Sequence, residues 1–159
     1  MNTEALKQLI KNGLSAQKAG SKVAAAATSE ILNDAKNPEL KAALEQGNKT
    51  SQEWAKRIDR AIAEVGSVEE KDNKILEAHY EVSKEIRNEA DTDDVRDMGI
   101  ITSGQLALHY WIASFGTVAS YAASAGLSQT EKEMKASVQE AKQADDQHTD
   151  IAQKILSAK

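Results

Sequence analysis

The side chains of this chain best able to do chemistry are a few histidines and acids set at helical spacing. Gln105 and His109 lie four apart, which puts both on one face of a helix. They could ligate a cation or polarise a substrate. The competing and favoured reading is a buried histidine held by the glutamine or by a backbone carbonyl. His79 sits between Glu77 and Glu81 and is expected to be a partly exposed helix residue. Glu140 and Asp145 are five apart, a spacing common on solvated faces, and His148 between Asp145 and Asp150 is expected at the surface. A metal set would draw on Glu53, Glu77, Glu81, His109, Glu140 and Asp145, at least four of which would have to converge. The acidic run from Asp91 to Asp94 lacks the glycine and the alternation of a calcium loop and reads as a capping turn.

Other chemistries find no support. The chain has no cysteine, which excludes disulfides and thiolate ligands. No Ser/His/Asp arrangement has motif support, and the Gly/Ser pairs at 20–21 and 103–104 are not nucleophile elbows. The run from Gly99 to Gly104 lacks the lysine of a phosphate loop. A net charge of −5 with no basic stripe argues against nucleic-acid binding. The polar start of the chain has no signal-peptide core, and no run is apolar enough to span a membrane. A cytoplasmic location is therefore expected.

Helices must position these residues. One proline, eight glycines and few aromatics in 159 residues suit long helices better than a sheet. Five or six helical stretches are predicted in one domain, 1–159. The first runs over about 3–18 with Leu6, Leu9, Ile10 and Leu14 on one face, and Gly20 and Ser21 kink or end it. A second continues to about Lys36. Asn37 and Pro38 have N-cap and first-turn chemistry for a helix to about Val65, weakened at Gly47 and Asn48. Ser67 and Glu70 have capping-box spacing for the next, in which Ile75, Leu76, His79, Val82 and Ile86 face inward. A long helix follows the acidic turn to Ala125, closed by Gly126. The last, with a Ser128/Glu131 capping box, reaches about Leu156. Trp54, Tyr80, Tyr110, Trp111, Phe115 and Tyr121 are expected in the core rather than around a ligand. Short breaks favour antiparallel neighbours, so the expected fold is all-α, an up-down bundle.

The chain resembles a ferritin-like stress-protein family typified by YciE and YciF, from about Leu6 to Ile155. The resemblance rests on Lys36–Leu40, on Val95, Arg96 and Asp97 before the long helix, on His109, Tyr110, Ile112, Ala113, Ser114 and Gly116, and on Gln139–Lys142 with Asp145, Thr149 and Asp150. It implies a ferritin-like bundle of four core helices with one or two extra, often dimeric, in a cytoplasmic stress setting. It also implies a possible dinuclear iron or manganese site fed by carboxylates from several helices. Those carboxylates are mostly missing here. The family's first-helix glutamate falls at Ser21, its second-helix pair at Lys49 and Thr50, and the two glutamates around His109-Tyr110 at Leu108 and Trp111. Of three glutamates in the last helix, at Gln139, Glu140 and Ala141, one survives.

An unpaired buried polar group costs roughly 2–7 kcal/mol, so a chain that gives up the metal should lose these acids together and fill the space, with Trp111 taking part of the volume. The favoured expectation is a non-enzymatic structural or interaction protein with a degenerate or absent metal site and no cofactor. It would be a homodimer without nucleic-acid or membrane partners, paired through the apolar face of the first helix. One alternative is an iron- or manganese-binding protein with a rearranged ligand set, handling peroxide or ferrous iron. The other is a bundle that binds a small molecule in the vacated centre, which requires a cavity of ligand size.

Overall fold

The computed structural model describes residues 2–158. They form five helices: α1 (Thr3–Asp34), α2 (Pro38–Val65), α3 (Lys74–Glu89), α4 (Asp93–Ala125) and α5 (Ser128–Ser157). The architecture is all-α. Asn2, Asn37, Asn73 and Thr92 each accept a backbone N–H with the side chain at an N-cap, the preferred chemistry for that position. Gly126 closes α4 in the left-handed conformation.

Contacts between helices set the directions. The start of α4 meets the α1–α2 turn, where buried Asp97 accepts the N–H groups of Lys36 (2.8 Å) and Asn37 (2.7 Å). Farther along, Gln17 of α1 donates to Ser114 of α4 at 3.1 Å, so α4 runs antiparallel to α1. The end of α2 meets the start of α5, where Glu64 accepts from the N–H groups of Gln129 (3.1 Å) and Thr130 (2.6 Å). Helices α1, α2, α5 and α4 thus close an antiparallel ring, and α3 lies outside it against α1 and α4. In chain order the helices run up, down, up, down, up. The core has two parts. One gathers Leu6, Ile10, Leu14, Trp54, Ile58, Trp111, Phe115 and Met134. The other, at the end of the α1–α2 turn, gathers Ala35, Leu40, Ala43, Ile100, Ile101 and Ile151.

Several sequence expectations need correction. Helix α1 is continuous through Gly20 and Ser21. Gly20 is needed there for a close approach, because a Cβ would lie 2.8 Å from both Asn73 Nδ2 and Leu76 Cδ1. Helix α2 likewise runs unbroken through Gly47 and Asn48. The Ser67/Glu70 box does not start α3; Asn73 does, accepting from Leu76 N at 3.0 Å. Helix α5 has no side-chain bond from its own N-cap residue, and Glu64 of α2 supplies the acceptor instead. On α3 the buried stripe is Leu76, Ser83 and Arg87, while Ile75 and Val82 are 68% and 51% exposed. Arg87 is buried because Ser83, Asp34 and Glu30 satisfy its N–H groups at 2.8–3.0 Å. The face proposed for dimer contact is occupied: Leu6, Ile10 and Leu14 belong to the chain's own core, and only Leu9 is exposed.

Candidate functional site

Between the two parts of the core, the bundle holds a cavity of about 570 Å³. Every helix lends it small residues, among them Ala24 and Ala25 on α1, Ala43, Gly47 and Ala55 on α2, Ser83 on α3, Gly104 and Ala107 on α4, and Ala144 on α5. Small side chains at one level do not reach across the space between the helices. Ser21, Thr50, Leu108, Trp111 and Glu140 all line this cavity. These are five of the eight positions at which the resemblance places the family's metal-site glutamates, Lys49, Gln139 and Ala141 being outside the lining, so residues dispersed along the sequence meet at one level of the bundle. The expectation that the space is filled is wrong: Trp111 packs against Phe115 (5.1 Å, stacked) and Trp54 (6.0 Å) and forms part of the wall without filling the void.

Glu140 is the one acid among these side chains. It is engaged by a fork from Arg57, whose Nη1 and Nη2 donate to its two oxygens at 2.7 and 2.9 Å, and by Trp54 Nε1 at 2.7 Å. Arg57 also donates to Ser137 Oγ at 3.2 Å. Burial pushes the Glu140 carboxyl up, but the hydrogen bonds from Arg57 and Trp54 and the charge of Arg57 outweigh it and hold the group below the usual carboxylate range. The hydrogen bond to Glu140 raises Arg57 in turn, against the opposing effect of burial. Trp54 and Arg57 are three apart on α2, which puts both donors on one face. Neither was singled out from sequence as a partner of Glu140, because the pairing spans more than eighty residues.

The other candidates go elsewhere. His109 is not buried: its side chain is 67% exposed, and Nε2 meets Asp145 Oδ2 at 3.0 Å. Gln105 does not hold it but reaches Thr149 Oγ1 at 2.9 Å. Glu53 pairs with Arg60 and Lys56, and Glu77 and Glu81 are exposed on α3. Of the six acids and histidines in the metal pool, only His109 and Asp145 form an ion pair with one another. Among the described residues, no three His, Cys, Asp or Glu side chains gather closely enough to hold an ion. The cavity presents a hydroxyl at Ser21 and Thr50, apolar groups at Leu108 and Trp111, and one carboxylate whose charge is paired with Arg57 and which accepts three hydrogen bonds from Arg57 and Trp54. That donor set does not fit a pair of iron or manganese ions, which want several anionic oxygens free to coordinate.

His148 corrects another expectation. It is buried rather than at the surface, it lines the cavity, and Nδ1 lies 2.7 Å from the Ala144 carbonyl. That carbonyl can only accept, so the proton sits on Nδ1 and Nε2 is left as an acceptor. Burial lowers the His148 pKa, against the opposing effects of the Ala144 carbonyl and the Asp145 charge. His79, half-buried on the α3 side of the same cavity, is also lowered by burial, against the Ser103 backbone. Burial pushes the Tyr80 phenol, in the same wall, up to about 12. Near neutral pH both rings are uncharged. The wall is thus mostly apolar, with neutral polar groups and one neutralised ion pair.

An all-α bundle of five helices with a cavity at the middle of the bundle is the class that fold and site define. The chain belongs to the family described as a domain of unknown function, DUF892, whose model matches residues 5–159. Protein YciF of Escherichia coli strain K12 is 26% identical over 154 residues, covering 96% of this chain and 93% of that protein. The crystal structure of the E. coli stress protein YciF superposes with a TM-score of 0.91 at 24% identity, covering 97% of this chain and 98% of that one. YcfI, described as a putative structural protein from Rhodopseudomonas palustris, superposes with a TM-score of 0.86 at 20% identity over 94% of each chain. Among the described residues no helix is long and apolar enough to cross a membrane.

Proposed function

We propose that this chain is a stress-associated bundle protein of the cytoplasm whose role is structural or interactive rather than enzymatic, and which works without a metal centre. One observation carries the reading. Five of the eight positions to which the resemblance assigns metal-site glutamates line one cavity, and they present Ser21, Thr50, Leu108 and Trp111, with Glu140 bound to Arg57 and Trp54. An acid serves a cation through free lone pairs, and Arg57 and Trp54 take three of the roughly four that Glu140 offers. The relatives, a stress protein and a protein described as structural, support the setting and the role. A homodimer is part of this reading, and sedimentation equilibrium tests it: the expected mass is twice 17.2 kDa.

Elemental mass spectrometry tests the metal-free reading. Untagged protein would be purified without chelator from cells supplemented with iron and manganese. The expected content after dialysis is far below one ion per chain. One or two ions per chain would overturn the reading and direct attention to His109, Asp145 and Glu140.

A further inference from the structure

The cavity is an unfilled space with a defined chemistry, and that chemistry selects an occupant. At about 570 Å³ it falls within the range of small-molecule sites, roughly 300–1,000 Å³. Its inner wall carries both tryptophans of the chain, Trp54 and Trp111, beside Leu44, Ile100 and Leu108. Its solvent edge carries the exposed amides of Gln46, Gln52, Gln143 and Gln147. Charge selects against ions of either sign. The one acidic side chain in the wall, Glu140, is neutralised by the Arg57 fork, and no lysine or arginine lines the space. Moving an ion into such a wall would strip its water with no free counter-charge to replace it. The wall does offer a free acceptor. His148 packs closely on Gly104, where a Cβ would come within 3.1 Å of Nε2, and both residues line the cavity.

We propose that the mid-bundle cavity binds a neutral amphiphile of low molecular mass, with its apolar body against Trp54 and Trp111 and a hydroxyl donating to His148 Nε2. The proposal goes beyond the structural role above and rests on its metal-free reading, because cations in the cavity would take the same space.

The test uses three probes with one hydrocarbon tail, 1-octanol, octanoate and octylamine, followed through the emission of Trp54 and Trp111. Metal content is measured on the same samples. The expected result is a saturable blue shift with octanol, at an affinity at least tenfold above either ion. His148→Phe should reduce that preference about tenfold, the equivalent of one 1.4 kcal/mol hydrogen bond. Ala107→Leu fills the cavity from α4 and should weaken octanol binding. Ala25→Phe does so from an exposed edge position, where folding is not at stake, and should do the same. Metal-free protein that shows no saturable change, or that ranks the three probes equally, would overturn the proposal alone. So would unchanged octanol affinity in Ala25→Phe. Protein carrying stoichiometric iron or manganese and no octanol site would overturn both the proposal and the metal-free reading.

Discussion

Arg57→Met is the substitution that best separates charge from packing at the centre of this bundle. Methionine keeps most of the apolar stem and removes the fork that holds Glu140. Glu140 then retains one bond, from Trp54, and Ser137 loses its Arg57 donor. Breaking a fully buried pair costs about 3–5 kcal/mol, whereas exposed pairs contribute about 0–1 kcal/mol. Here the side chains are 14% and 35% exposed, so solvent relieves part of the unpaired charge. A loss of about 2 kcal/mol lies between the two limits. In a chain of this size each kcal/mol moves the melting temperature by about 2–4 °C, so a drop of about 4–8 °C is expected by circular dichroism. Because the cost is an uncompensated carboxylate, Arg57→Met/Glu140→Met should melt above Arg57→Met alone. The pH dependence has a definite sign. In the parent chain the Glu140 pKa lies below its ordinary 4.5, so its contribution is present above pH 4.5 and fades as pH falls through the folded value. In Arg57→Met the same carboxyl, still partly buried, should lie above 4.5 and favour folding at low pH. The gap between the two proteins must therefore narrow on acidification towards pH 4. A double variant as unstable as the sum of the two single variants, or a gap that widens in acid, would refute the reasoning.

Other outcomes follow from the same structure. Glu64→Ala removes the acceptor of the first α5 N–H groups and should cost about 1 kcal/mol, as other lost caps do, read from the urea midpoint. Asp97→Ala strands two backbone N–H groups at the α1–α2 turn and should cost about 1.5–3 kcal/mol, the range for hydrogen bonds to a charged group, by thermal melt. Gly20→Ala should destabilise despite alanine's advantage of about 1 kcal/mol within a helix, because its Cβ would sit 2.8 Å from Asn73 and Leu76. His79 and His148 are both lowered from 6.5, so the unfolded chain takes up protons first as pH drops. Stability conferred by the neutral rings is full above about pH 6.5 and falls as pH drops towards the folded values. His148→Gln should flatten that part of a melting-temperature profile.

The helix framework was legible because its signals are local. Asn37 with Pro38, the acidic turn before α4 and Gly126 all act within one turn of their own chain. The misreadings come from partners distant in sequence. Gly20 looks like a break until Asn73 and Leu76 pack against it, and α5 takes its cap from Glu64 on α2. On α3 Leu76 is buried as expected, but Ile75 and Val82 are not: Arg87 with its acids sets the rotation, and Ser83 lies inside in their place. His148 was hidden by its acidic neighbours, although Met134, Ala141 and His148 are seven apart and all buried. That spacing was the available signal. A cavity of ligand size was expected only under the small-molecule alternative, and the favoured expectation filled that space. Void volume depends on how five helices with small residues at one level pack together, and no single segment encodes it. Arg57 was missed for a related reason, since nothing on α2 announces an acid on α5.

The cavity lined by Ser21, Thr50, Leu108, Trp111 and Glu140 is proposed to take no cation. Titrating manganese(II) into chelator-stripped protein tests it most directly, with the emission of Trp54 and Trp111, both in the cavity wall, as the readout. The account predicts no saturable quenching and an unchanged melting temperature. Saturable quenching with stabilisation of about 2.7 kcal/mol at a hundredfold excess over Kd would contradict it.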